Sequence, residues 1–273
     1  MVLIGGVDDD LENPSLSDRS TISHPRGKII LVTGGNIGLG KQSVLEYAKH
    51  NPALIWLSAR SPSKAQAALD EIQAQLRTPA NIKILDLGLA SLESVKNAAS
   101  TVLTESARLD ILMLNAGIMA APPGLTKDGY ELQFGTNYLG HALLAKLLVP
   151  LMEKTAAIPG TDVRIVMVSS KLAMILWAKQ ASKMYPQFTV ASIHPGVVKT
   201  NLMNNATGSP FWIRMLGKIA NHVFTPVDQG GVMSGEYYEP VGIGGVATDL
   251  GKDENLARGL WEWRENELNE YVA

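Results

Sequence analysis

The chain contains no cysteine, which excludes a disulfide framework and thiolate chemistry and makes the cytoplasm the expected compartment. Long apolar runs are missing too. No segment reaches the roughly 18 uninterrupted apolar residues that would cross a bilayer, so stable membrane insertion is not expected. Nor is there an excess of charge of one sign: 24 Lys and Arg stand against 26 Asp and Glu, for a formal net charge of -2. Without a long basic run the chain offers no electrostatic footprint for nucleic acid. The opening stretch MVLIGGVDDDLENPSLSDRS starts apolar but continues with an acidic run instead of a basic segment, unlike a secretory signal. No His/Asp/Glu cluster has metal-ligand spacing, and no GxSxG elbow is present. What remains is a globular chain of 273 residues, 46% hydrophobic, long enough to bury one substantial core.

Residues 1–27 are polar, hold Pro14 and Pro25, and lack periodicity, which predicts a flexible N-terminal arm. From Lys28 onward, short apolar runs alternate with longer segments of helical period. KIILVTG, ALIWLSA, NIKILDL, DILMLNAG, RIVMVS and FTVASIHPG read as strands, and YYEPVGI as further strand material. Helices are expected from about Leu39, Ser63 and Leu92, from about Tyr130 to Met152, over KLAMILWAKQASKMY, near Asp228 to Ser234, and from about Glu254 to Glu270. Continuous hydrophobicity within the strands means that both sheet faces are covered. The expected fold is therefore α/β, a single Rossmann-type doubly wound parallel sheet of about seven strands with helices on both faces. With no internal repeat or linker inside residues 28–273, one domain is the economical reading.

The first strand runs into Thr33, Gly34, Gly35, Asn36, Ile37, Gly38, Leu39, Gly40. A glycine cluster between a buried strand and a helix lets the backbone approach a pyrophosphate, and the helix N-terminus offers free N–H groups and partial positive charge to the anion. Its TGxxxGxG spacing resembles the short-chain dehydrogenase/reductase family. Other motifs agree in order: Asp86-Leu87 after the third strand, Asn115-Ala116-Gly117 after the fourth, Asn137 within NYLGH, and Pro195-Gly196 to Thr200 within HPGVVKT. The likeness is greatest to the retinol-dehydrogenase-like and fungal secondary-metabolism branch, by HPGVVKT and by the terminal LWEW. The resemblance implies a nicotinamide cofactor held by Gly34, Ile37, Gly38, Gly40, Asp86, Asn115, Lys171, Val198 and Thr200. It also implies a small-molecule substrate, and homo-oligomers are common in the family.

The second strand ends Ser58, Ala59, Arg60, Ser61. A carboxylate at this point would bind a ribose 2′-hydroxyl, whereas an arginine suits a 2′-phosphate. Arg60 and the absent acid together predict NADP(H).

A further absence concerns the chemistry. Hydride transfer to a carbonyl requires a proton for the developing alkoxide, and a phenol of pKa about 10 donates well only when a neighbouring ammonium lowers that value. The family uses YxxxK on one helix face, a serine at the end of strand five and a proton-relaying asparagine. None of the seven tyrosines is followed four positions later by lysine. Val168, Ser169 and Ser170 lead directly to Lys171, Leu172 and Ala173, as if a tyrosine-bearing segment were missing, and the position four before Lys171 is Met167. Ser170 matches either the catalytic serine or the serine preceding the helix lysine. The expected catalytic set is Ser170, Lys171 and Asn137. Tyr185 falls too far along the helix to substitute, and Tyr138 reads as a packing residue. His194 reads as a hydrogen-bonded structural residue. Phe211, Trp212, Ile213, Met215 and Leu216 form an apolar segment that could lid an apolar substrate. The chain is expected to be an NADP(H)-dependent oxidoreductase interconverting a hydroxyl and a carbonyl; the alternative is a catalytically impaired nucleotide-binding homologue or a truncated gene product.

Overall fold

The computed structural model describes residues 25–168, 172–193, 237–238 and 248–272. Its strands are β1 (Ile29–Val32), β2 (Leu54–Ala59), β3 (Ile82–Asp86), β4 (Ile111–Leu114), β5 (Arg164–Val168), β6 (Thr189–Ile193) and β7 (Tyr237–Tyr238). They form one parallel sheet in the order β3-β2-β1-β4-β5-β6-β7. The order reverses direction at β1, where successive crossovers go to opposite sides, so helices cover both faces and the doubly wound Rossmann-type architecture is met.

Alternation within the apolar strands sends neighbouring residues into separate cores. Leu31, Trp56, Leu112, Leu114 and Ile165 pack on one side with α3 (Leu92–Glu105) and α4 (Gly140–Ala156). Ile30, Val32, Ile55, Leu57 and Met113 pack on the other with α1 (Gly38–Ala48) and α2 (Pro62–Gln73). A buried polar atom needs a partner, and Trp56 Nε1 finds one by donating to Ser106 Oγ at 2.9 Å. Edge strand β3 is only partly buried; its outward Lys83 pairs with Glu105 at 2.6 Å and lies over the Trp56 ring, a charge that discourages pairing with another chain.

At the N-terminal edge of the sheet, the fully buried Asp110 carboxylate accepts the Ile29 N–H at 2.9 Å and both the Nε and a terminal nitrogen of Arg108. Nearby Lys28 donates to the Asp162 carbonyl at 3.0 Å, and burial pushes its ammonium below the usual lysine range. This charged edge ties β1, β4 and β5 together. It leaves the opposite edge, where glycine-rich turns emerge, for function.

Two expectations change. The segment expected as a single helix over 130–152 begins later: a helical turn, Leu132–Phe134, passes into a π-helical turn, Gly135–Leu139, and only then into α4. Close packing at Gly135 accompanies the widening, since a Cβ there would lie 2.4 Å from Thr126 Cγ2. Helix α4 also runs past Met152 to Ala156 with Pro150 inside it. The C-terminal helix is likewise shorter than expected. After α5 (Leu172–Met184) and the short α6 (Asp249–Lys252), α7 covers Glu254–Glu267, and its last turn tightens to a 3-10 turn, Asn269–Tyr271. Of YYEPVGI, Tyr237–Tyr238 pairs with β6. The expected helix near Asp228 to Ser234 and most of the N-terminal arm lie outside the described residues.

Candidate active site

The carboxyl ends of β1, β2, β3 and β4 are tied side by side. Gly35 N–H donates to the Ser58 carbonyl at 2.9 Å, Leu87 N–H to Ala59 at 3.0 Å, and Thr33 N–H to Met113 at 2.9 Å. Between them lies the first strand-to-helix turn. Gly34 has φ +65°, a conformation that favours glycine. At Gly40 a Cβ would stand 2.3 Å from the Gly34 carbonyl oxygen and 2.5 Å from Asn115 Nδ2, so only a hydrogen fits there. Helix α1 starts at Gly38 after an extended Ile37, and no side chain caps its first N–H groups. This uncapped helix start behind a glycine-rich turn suits a pyrophosphate.

Asn115 closes the turn from β4. Its Nδ2 donates to the Thr33 carbonyl at 3.0 Å, while its own N–H and that of Ala116 reach Thr33 Oγ1 at 2.8 and 2.9 Å. Arg60 and Asp86 are both exposed and follow from the paired positions at the ends of β2 and β3, where Ala59 is in register with Asp86. They flank the region where an adenosine would leave the turn. Ser58 Oγ, buried beneath, has no hydrogen-bond partner.

Asn137 lies in the π-helical turn. Its Oδ1 accepts the Ile118 N–H at 2.8 Å and its Nδ2 donates to the Ile118 carbonyl at 2.9 Å. The amide is thus spent on holding the segment after β4, and the residue's remaining polar group near the site is its own carbonyl. Beside it opens a small cleft of about 110 Å³, lined by Gln133, Phe134, Asn137, Tyr138, Ala173 and Met174. The structure therefore gathers Gly34, Ile37, Gly38, Gly40, Asn115 and Asn137 along one edge of the sheet, with Arg60 and Asp86 at the ends of β2 and β3. Ser170, Lys171, Val198 and Thr200 lie outside the described residues, as do His194, Pro195, Gly196 and the segment around Trp212.

None of Tyr47, Tyr130, Tyr138, Tyr185 and Tyr271 has the environment of a proton donor. Met167 is fully buried in β5. Tyr185 follows the last residue of the uninterrupted α5 and packs on Phe188 and Trp261. Tyr138 packs at a tilt against Phe134, with its hydroxyl buried and unpartnered. Burial is the first cause that raises the phenol pKa at Tyr47, Tyr130, Tyr138, Tyr185 and Tyr271, and at Tyr130 a 2.7 Å hydrogen bond to Glu267 reinforces it.

Two residues that sequence reasoning passed over shape this edge. His141 is four positions after Asn137, a spacing that brings side chains together on a helix; it bridges Thr33 and the Asn137 carbonyl. Arg264 of α7 is almost wholly buried, its guanidinium 3.8 Å from the centre of the Trp261 ring and paired with Glu265. Nothing in the linear pattern marks that arginine as interior. Through Lys146–Glu265 at 2.6 Å and Lys183–Glu254 at 2.9 Å, α7 is also clamped across α4 and α5.

Among the described residues no group of His, Asp or Glu could hold a metal ion, and no helix is long and apolar enough to cross a membrane. Residues 28–209 match the profile of the short chain dehydrogenases. Short-chain dehydrogenase/reductase drtF of Aspergillus calidoustus is 33% identical over 298 aligned positions, covering 89% of this chain and 94% of that protein. Retinol dehydrogenase 13 of Mus musculus is 31% identical over 276 positions, covering 86% and 82%. Both aligned spans exceed the 273 residues of this chain, so each relative carries residues with no counterpart here. Among solved structures, an uncharacterized protein from Mycobacterium paratuberculosis superposes with a TM-score of 0.64 at 24% identity, covering 88% of this chain and 93% of that one.

Proposed function

We propose, from the premise that this chain belongs to the short-chain dehydrogenase/reductase family of oxidoreductases, that it binds NADP(H) and interconverts a hydroxyl and a carbonyl on a small apolar metabolite. The observation that carries the cofactor reading is the glycine-rich, uncapped turn at Gly34 to Gly40, with the exposed Arg60 at the end of β2 where no carboxylate stands. When bound, the nicotinamide supplies or accepts a hydride. The chain's own part is to hold and orient: backbone N–H groups around Ile37 and Gly38 face the pyrophosphate, Arg60 the 2′-phosphate, Asp86 the adenine. Asn115 keeps the turn closed. By the family pattern, Val198 and Thr200 would serve the nicotinamide end of the cofactor, and Ser170 and Lys171 the reacting oxygen. The apolar cleft beside Asn137, lined by Phe134, Ala173 and Met174, supports an apolar substrate.

With no YxxxK tyrosine in the sequence and the phenols of Tyr47, Tyr130, Tyr138, Tyr185 and Tyr271 pushed upward, the proton for the alkoxide comes from water or the substrate. Losing a positioned general acid costs about 10² to 10⁴ in rate. The same observations favour a second reading, a protein that binds nucleotide without turnover. Fluorescence titration with NADPH, run beside a panel of carbonyl substrates, decides between them. Binding with slow turnover supports the oxidoreductase, binding without turnover the second reading, and failure to bind NADPH refutes both.

A further inference from the structure

His141 is held between the cofactor turn and Asn137, and the bonding of Thr33 Oγ1 decides which of its ring nitrogens carries the proton. A threonine hydroxyl has one proton to give and two lone pairs to receive. Thr33 Oγ1 receives the N–H groups of Asn115 at 2.8 Å and Ala116 at 2.9 Å, which fills both lone pairs. Its single proton then has two possible destinations: His141 Nε2 at 3.0 Å, or the Met113 carbonyl at 3.4 Å, which already accepts the Thr33 N–H. The shorter contact wins. His141 Nε2 is therefore the bare nitrogen, the ring proton sits on Nδ1, and Nδ1 donates to the Asn137 carbonyl at 3.0 Å. The opposite tautomer would aim an N–H at an oxygen with no lone pair left, and one of the two turn amides would have to let go.

We infer that His141, as the neutral Nδ1–H tautomer, is a positioning residue that locks the Thr33 turn, the Asn115-Ala116 turn and the π-helical turn of Asn137 into a single unit. Thr33 and His141 are almost wholly buried and Asn137 nearly so, so water does not replace a lost partner at low cost. The ring fixes where the Asn137 carbonyl points, while the Asn137 amide fixes Ile118. The two halves of the site, cofactor turn and substrate cleft, thus share one imidazole. The functional arm of this inference rests on the cofactor reading above; the bonding arm does not.

Three measurements test it. In the wild-type protein, long-range nitrogen–proton NMR of the imidazole should show a protonated Nδ1 and a bare Nε2. In His141→Phe, which keeps a ring but neither nitrogen, amide exchange at Asn115 and Ala116 should accelerate at least about tenfold, the factor for one hydrogen bond of ordinary worth. His141→Gln, whose amide can accept from Thr33 and donate to Asn137, should recover most of that protection. Leu144→Ala on the same helix serves as the control for general loosening. NADPH affinity should fall by a similar factor in His141→Phe and be largely restored in His141→Gln. A proton found on Nε2, or turn amides no less protected in His141→Phe than in Leu144→Ala, overturns the inference. A wild-type protein that shows the expected tautomer and amide protection yet does not bind NADPH upholds the inference and refutes the cofactor reading instead.

Discussion

Replacing Tyr138 with phenylalanine removes one oxygen from the interior and leaves the ring packed at a tilt against Phe134, 5.1 Å between centroids. The side chain is 2% exposed and its hydroxyl has no hydrogen-bond partner. A buried polar group left unpaired costs about 1–3 kcal/mol, so its deletion without change of shape should stabilise the fold by about 1 kcal/mol. A second effect appears at high pH. Burial raises the phenol pKa in the folded chain, and only partial relief comes from Arg264. Above pH 10 the unfolded chain releases this proton while the folded chain keeps it. Such a raised group contributes stability that is complete below the unfolded value and is lost as pH rises toward the folded one, at up to about 1.4 kcal/mol per pH unit. Urea denaturation at pH 7 and pH 11 should therefore show the variant ahead by about 1 kcal/mol at pH 7 and by roughly 1.4 kcal/mol more at pH 11. Turnover, where present, should be unaffected. If Tyr138→Phe destabilises the protein or lowers turnover, the hydroxyl has a working partner and the exclusion of Tyr138 as proton donor is wrong.

Two further contrasts follow from the glycines and the charge at the sheet edge. Gly40→Ala forces a methyl group to within 2.3 Å of the Gly34 carbonyl; overpacking of this kind costs about 1–3 kcal/mol, and NADPH titration should show affinity reduced at least tenfold. Gly259→Ala, within α7 and with nothing inside 4 Å of the added carbon, should instead raise stability by about 0.5–1 kcal/mol through helix propensity, with affinity unchanged. Arg60→Ala should weaken NADPH binding and flatten its salt dependence, because a charge-assisted contact to the 2′-phosphate is lost. Unaltered NADPH binding in that variant would end the NADP(H) assignment.

The strand runs KIILVTG, ALIWLSA and DILMLNAG were legible because burial on both faces leaves uninterrupted apolar residues, a pattern that few other environments produce. The glycine turn was legible for a similar reason: a site that excludes Cβ atoms must be spelled in glycine, as Gly34 and Gly40 are. Asn137 could be located by its motif, but not the widened turn around it, since a π-helical turn arises from the fit of Gly135 against Thr126 across the loop. Arg264 was illegible for a related reason. Its burial depends on Trp177, from a helix far away in the sequence, and on Trp261, three residues before it; a local polar-outside pattern assigns such an arginine to solvent.

The absence of YxxxK from the sequence is a matter of register more than of residue type, and on the proposed reading this decides where a tyrosine proton donor could be added. Strand β5 extends through Val168 and α5 begins at Leu172, so the position four before Lys171 belongs to the sheet. Met167 there is fully buried and in register with Leu114 on one side and Ser192 on the other. A tyrosine at that position would enter the core packing between strand and helix, costing about 1–3 kcal/mol as an overpacked side chain, and would not share a helix face with Lys171, because successive strand residues rise about 3.3 Å each and alternate faces. Met167→Tyr is therefore expected to lower stability and leave carbonyl reduction at the background level. Inserting a segment between Ser169 and Lys171 that extends α5 backward by a turn and carries tyrosine four residues before the lysine places the two residues side by side on one face, their Cβ atoms about 6 Å apart. That insertion should raise turnover by about 10² or more with little change in NADPH affinity. If Met167→Tyr alone restored turnover, the proton donor would not require the helical spacing; if the insertion bound NADPH and remained inactive, Lys171 would not be the partner that lowers the phenol pKa.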